Sequence, residues 1–197
     1  DSGLFLFDLK TQNIIRQVLS TSRQYSSFAK ILSLHLDNEN NLWVGTKSDG
    51  LIQFNTQTNH LKKYLPPNLF PEKSHYAQIN DICKTSDGKL WCANRTRGIY
   101  VLDPEKEKFE IFSPSINEQG ALSSGTFTIH QDSKNHIWIG SDLGLNLYQP
   151  EKNQFEMPKY YQRNPTQRVP TIFAIEESYD GSLWIGTFHN GLHHYYI

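Results

Sequence analysis

Four polar residues recur at one place in this chain. His35, Cys83, His130 and Glu176 each stand eight residues before a tryptophan. All four are metal-ligand types, and equivalent positions of a repeat can face a common axis. Bonds of about 2.0–2.3 Å to one ion need donors closer together than adjacent strands around such an axis provide, so the column is expected to be a polar lining, not a metal site. His193 and His194 are neighbours, and neighbours in a strand point to opposite faces, so they do not chelate together. Hydrolysis would need a paired acid and base, or a nucleophile beside its base. Acidic residues are plentiful, but most fall in turns, and no G-x-S-x-G, H-E-x-x-H or phosphate loop is present. The sequence points to no catalytic residue, no metal and no cofactor.

The elements that must position these residues follow from a repeat. Trp43, Trp91, Trp138 and Trp184 are 48, 47 and 46 residues apart, each in a similar phrase ending W-V-G-T, W-C-A-N, W-I-G-S or W-I-G-T. A glycine follows at Gly50, Gly98, Gly144 and Gly191, with Gly3 in the same phase. An apolar residue follows each glycine, and Phe7, Phe54, Leu102, Tyr148 and Tyr195 come four positions after it. Short segments of alternating apolar residues fit strands, and no helical period is sustained. A first strand is expected at Ile31–Leu36, Ile79–Cys83, Phe127–Ile129 and Ile172–Ile175, then the Trp strand, then a third after the phased glycine. The fourth carries Leu61–Tyr64 or Phe109–Phe112. Four antiparallel strands repeated every 47 residues or so make an all-β fold of β-propeller blades.

The expected division is a partial blade over 1–22, blades over 23–68, 69–115 and 116–165, and a partial blade over 166–197. The chain begins and ends in the third strand of the unit. That phase favours a segment of a larger, seven-bladed propeller over a free-standing ring with an exchanged edge strand.

The turn before each Trp has Asn40, Gly88, Asn135 or Gly181 three residues ahead of it, types that tolerate positive φ. The residues before these, Glu39, Asp87, Lys134 and Asp180, do not suit a second left-handed position. A type I turn followed by one left-handed residue and a bulge is therefore expected, with Asp37, Thr85, Asp132 and Ser178 capping it. This turn pairs Cys83 with position 91, so Cys83 and Cys92 point to opposite faces and are expected to be free, buried thiols. Each Trp is expected to pack between blades, with the glycine two residues on leaving room for a neighbour's ring.

Composition narrows the partners. Lys and Arg number 19 against 20 Asp and Glu, a net charge of −1, which lacks the basic stripe of a nucleic-acid binder and the polybasic patch of a membrane-surface module. No apolar run approaches the ~18 residues of a membrane span. Two cysteines exclude a disulfide scaffold. Ligand contacts are expected on loops at one end of the blades. These loops carry Lys47, Asp49, Arg95, Arg97, Asp142, His189 and Asn190, with Tyr25, His75, Tyr76 and Tyr161 on the lead-ins to the first strands. Aromatics and the forked guanidinium of Arg suit sugars, and Arg suits sulfated or uronic sugars especially. The proline-containing insert Leu65–Tyr76 is longer than a tight connection needs.

The phrase Asp37-Asn-Glu-Asn-Asn-Leu-Trp43-Val-Gly-Thr-Lys-Ser-Asp-Gly50-Leu-Ile-Gln-Phe54-Asn55, repeated from Asp132 to Ser141, resembles the two-component regulator propeller repeat. The stretch Ala121-Leu122-Ser123-Ser124-Gly125 resembles that family's lead-in to a first strand. The second copy departs with Ala93-Asn94 in place of Gly-Thr, and the third is one residue short before Gly144. The resemblance covers essentially the whole chain. It implies the periplasmic sensor region of a hybrid two-component system with a histidine kinase across the membrane. It also implies an oligosaccharide ligand and a homodimeric parent receptor. A structural or protein-interaction propeller and a lyase on the same fold are the alternatives.

Overall fold

The computed structural model describes residues 3–20, 30–66, 77–114, 122, 125–159 and 169–197. They form two compact units, Asp1–Ile79 and Asn80–Ile197. The described regular structure is antiparallel sheet.

The first unit holds two sheets. One pairs β1 (Gly3–Asp8) with β2 (Asn13–Ser20). The other runs β3 (Ile31–Leu36), β4 (Asn41–Thr46), β5 (Leu51–Asn55) and β6 (Leu61–Tyr64) in order. Their shared core is Val44, Ile52 and Phe54, flanked by Leu4 and Val18 from the two-stranded sheet.

The second unit holds three sheets. The first is β7 (Asp81–Lys84), β8 (Leu90–Asn94), β9 (Gly98–Asp103) and β10 (Lys108–Phe112). The next is β11 (Thr126–Gln131), β12 (Ile137–Ser141), β13 (Gly144–Gln149) and β14 (Gln154–Glu156). The last is β15 (Ile172–Glu177), β16 (Leu183–Thr187) and β17 (Leu192–Tyr195). The meander order and the face-to-face packing of successive sheets are those of β-propeller blades. One core cluster joins the first two sheets around Trp91, Ile99, Ile129 and Ile139. A second joins the last two around Trp138, Leu145, Ile172 and Ile185.

The turn before each Trp has the expected geometry. Asn40, Gly88, Asn135 and Gly181 have φ of 64°, 82°, 68° and 81°. The Asp37 carboxylate accepts from the N–H groups of Glu39 and Asn41, both at 2.9 Å. Asp132 does the same for Lys134 at 3.0 Å and His136 at 2.8 Å. Both carboxylates also accept from the indole of the Trp six residues on, Trp43 and Trp138, at 2.9 Å. That bond explains why an acid begins the phrase: one carboxylate fixes the turn and anchors the ring that follows it. Thr85 and Ser178 replace the acid in the other two copies. In those, Asp87 and Asp180 accept from inside the turn, from Thr85 Oγ1 at 2.5 Å and Ser182 N at 3.0 Å.

The register pairs Cys83 with Trp91 and Ile82 with Cys92, so both thiols are free and lie on opposite faces. Cys92 is buried as expected, whereas Cys83 is only half-buried. Burial raises the pKa of both thiols.

Trp91 and Trp138 pack between sheets, whereas Trp184 departs from that expectation: it is exposed and stacks on His194 of its own sheet. Trp91 meets Tyr148 of the next sheet edge-on with ring centroids 4.8 Å apart, and Trp138 meets Tyr195 at 6.0 Å. The expectation that the following glycine leaves room for a neighbour's ring needs correction. A Cβ on Gly140 would lie 2.6 Å from Ile172 Cγ2, and one on Gly45 would lie 2.9 Å from Ile79 Cγ2. The missing side chain leaves room for that isoleucine and, within the same sheet, for Ser33 or Thr128, while the neighbouring ring meets the Trp edge-on.

Candidate functional site

The loops that follow the Trp strands are built by a hydroxyl. Thr46, Ser141 and Thr187 end their strands and donate to the carbonyls of Gly50, Gly144 and Gly191 at 2.9, 3.0 and 2.7 Å. The same oxygens accept from Asp49 N, Leu143 N and Asn190 N. The phased glycines have positive φ, 76° at Gly50 and 80° at Gly98. A carbonyl from the outer strand occupies the space where their Cβ would be, that of Tyr64 or Phe112.

The second copy reaches the same end by another route. Asn94 replaces the hydroxyl residue, and its side-chain oxygen accepts from Thr96 N at 2.9 Å and Arg97 N at 2.8 Å. The hydroxyl for the Gly98 carbonyl comes from Thr126 of the next sheet, 2.6 Å away, which lies 2.8 Å from the Asn94 carbonyl as well. Thr126 thus clamps both ends of the Arg95–Arg97 loop.

The candidate ligand residues divide accordingly. In the second unit the loops carrying Arg95 and Arg97, Asp142, and His189 with Asn190 lie at the same end of successive sheets, and all five side chains are exposed. Asp142 N bonds to Gly125 O and Phe188 N to Thr171 O, each at 2.9 Å, so each loop is tied to its own sheet's lead-in. In the first unit Lys47 is exposed in the matching loop, its N–H bonded to Lys30 O at 2.9 Å. Asp49 forms an ion pair with Lys63 at 2.6 Å, which gives it a local structural role. Tyr76, with Tyr25, His75 and Tyr161, lies outside the described residues, as does most of the insert Leu65–Tyr76.

Three aromatics at this end were missed by the sequence reading. Phe127 and Phe173 each fall at a register shift of the first strand, between Thr126 and Thr128 and between Ile172 and Ala174. Their rings meet with centroids 4.3 Å apart. Phe188, in the loop after β16, lies 5.6 Å from Phe173, and His189 is 4.1 Å from Phe188. The detectable signal for Phe127 and Phe173 was a column eleven residues before each Trp, shared with Leu32 and Asn80.

The polar column has a plain position. His35, Cys83, His130 and Glu176 pair in register with Trp43, Trp91, Trp138 and Trp184. Among the described residues, no three His, Cys, Asp or Glu side chains converge as metal ligands. Ser182, Asp180 and His194 form a chain, but in the wrong order for nucleophilic catalysis. Ser182 Oγ lies between Asp180 Oδ1 at 2.5 Å and His194 Nε2 at 2.6 Å, and Ser182 is buried. A triad needs the imidazole between hydroxyl and carboxylate. The Ser182 hydroxyl and N–H instead hold the Asp180 carboxyl below its ordinary range.

No family model and no curated protein matches the chain by sequence. Solved structures match the fold. The extracellular domain of a hybrid two-component system from B. thetaiotaomicron superposes with a TM-score of 0.65 at 20% identity, over 85% of this chain and 21% of that one. PorZ, a surface component of the type-IX secretion system of Porphyromonas gingivalis, does so with 0.73 at 16%, over 98% of this chain and 29% of that one. Virginiamycin B lyase from Staphylococcus aureus does so with 0.64 at 14%, over 97% and 61%. The chain spans about a fifth of the length of the first of these and under two-thirds of the last. These likenesses establish the propeller fold, which many functions share.

Proposed function

We propose that this chain belongs to the periplasmic sensing region of a hybrid two-component sensor. In this reading it recognises an oligosaccharide, acidic or sulfated, and signals across the membrane as part of a homodimeric receptor. The observation that carries the reading is a coincidence of sequence and fold. The repeat resembles that of two-component regulator propellers, and the same residues superpose on the extracellular domain of such a system. The loop end of the second unit supports it, with Arg95, Arg97, His189 and Asn190 exposed on a backbone fixed by hydroxyl and amide caps. Polar side chains on short loops held by a rigid scaffold suit recognition. Signalling then requires only that the ligand bind one receptor geometry more tightly than another.

Thermal unfolding against neutral, uronic and sulfated oligosaccharides tests this. A glycan at a hundred times its Kd stabilises by about 2.7 kcal/mol, and the midpoint should rise for one class. No rise across the whole set would sink the proposal. The likeness to virginiamycin B lyase favours a second reading, an enzyme on the same fold. Virginiamycin B incubated with the chain should be recovered unchanged, and turnover would move that reading ahead.

A further inference from the structure

Among the described residues, the aromatic row at the loop end belongs to neither core cluster of the second unit. The core between the last two sheets is filled by Trp138, Leu145, Ile172, Ile175, Leu183 and Ile185, and neither Phe127, Phe173 nor Phe188 belongs to it. Phe173 is 47% exposed and Phe188 62% exposed. Exposing two large rings in contact has a hydrophobic cost that single scattered side chains do not carry. Phe127 and Phe173 owe their direction to the bulges, which take a residue off the ladder and re-aim its side chain, a device common beside binding sites.

Polar groups border the row. Thr126, adjacent to Phe127, clamps the loop of Arg95 and Arg97. Asp142 is bonded through its N–H to Gly125, two residues before Phe127. His189 lies against Phe188 with its ring tilted by 57°, and Asn190 follows it. We propose that Phe127, Phe173 and Phe188 form a stacking platform for a saccharide. The C–H face of a pyranose lies on the rings, and its hydroxyls and anionic substituents meet Arg95 and Arg97 on one side and His189 and Asn190 on the other.

The chemistry selects this ligand. A pyranose has an apolar face and a hydrogen-bonding rim, which matches flat rings bordered by donors and acceptors. A lipid would need a continuous apolar surface, which the charged loops interrupt. A nucleic acid also stacks, but a net charge of −1 gives it no basic stripe to follow. Arg at the border gives acidic sugars the bidentate partner they take best. The inference rests on the sensing reading above.

The test measures binding of maltohexaose, an oligogalacturonate and a chondroitin sulfate hexasaccharide by calorimetry, on the wild-type chain and three variants. Phe173→Leu keeps the apolar bulk and removes the flat face. Phe188→Ala removes a ring from an exposed loop. Arg97→Ala removes the fork. Both ring variants should bind at least tenfold more weakly with an unchanged unfolding midpoint, while Phe173→Tyr binds as wild type. Arg97→Ala should weaken the two acidic glycans and spare the neutral one. If Phe173→Leu lowers the midpoint, Phe188→Ala decides alone. Wild-type binding that survives both ring variants overturns the platform and leaves the sensing reading standing. No binding of any glycan by the wild type overturns both.

Discussion

The Asp132 side chain has no solvent exposure and four hydrogen-bonded contacts: two turn N–H groups, the Trp138 indole and the His136 ring at 2.8 Å. Burial alone would push its carboxyl up, but the bonds from Trp138 and His136 outweigh it, and the group ionises below the ordinary range. Its stabilisation is therefore complete above the unfolded carboxyl value of about 3.9 and disappears as pH falls through the lower folded one. Asp132→Ala should cost about 2–3 kcal/mol at pH 7, since it strands buried donors. Asp132→Asn should cost less, and urea unfolding from pH 7 to pH 3 should show its gap from wild type narrowing in the acid. A gap independent of pH would contradict the assignment. The left-handed turn residue was legible because only Gly and Asn fill that position in all four copies. The indole bond was not, because nothing in the residue types says that a ring six positions on folds back over the turn.

At the scale of elements, the joint between sheets follows a size rule. Gly140 faces Ile172, and in the second copy Ala93 stands where Gly140 stands, while Thr126 stands where Ile172 does. A larger residue on one side goes with a smaller one on the other. Gly140→Ala should therefore cost about 1–3 kcal/mol through overpacking. Combining it with Ile172→Thr should recover part of that cost, giving a favourable coupling of about 1 kcal/mol in a double-mutant cycle. Gly186→Ala should be milder, because its nearest neighbour is the Ala174 Cβ at 3.3 Å. Additive costs in the cycle would refute the rule. Strand positions were largely legible from alternation and the Trp period. The bulges at Phe127 and Phe173 were not, because one extra residue inside an alternating run looks like a boundary, and the rings they re-aim read as ordinary strand residues.

For the whole molecule, the four tryptophans report which sheet faces are covered. Trp43, Trp91 and Trp138 are 1%, 4% and 2% exposed, and Trp184 is 40% exposed, stacked on His194 with ring centroids 4.1 Å apart. Acrylamide should quench one population of about a quarter of the fluorescence, and Trp184→Phe should remove it while leaving the rest shielded. Uniform quenching of all four would contradict the packing of the inner sheets. The repeat was legible in full because packing between blades demands the same residue types at each turn of the pattern. The loop end was legible only as a set of loops, since the packing that fixes the repeat places no demand on exposed loop side chains.

The hydroxyl of Thr126 completes a loop that belongs to the sheet before it. A copy of the Trp91 repeat placed ahead of a sheet that begins with isoleucine would lose the bond to Gly98 and press Ala93 against a bulkier side chain. Such a chain cannot lengthen by duplicating that unit alone. It must copy the neighbour with it, or change both sides of the new joint together. The joints therefore carry the serial order of the blades, and a shuffled version with the same composition and the same number of repeats would be a less stable protein.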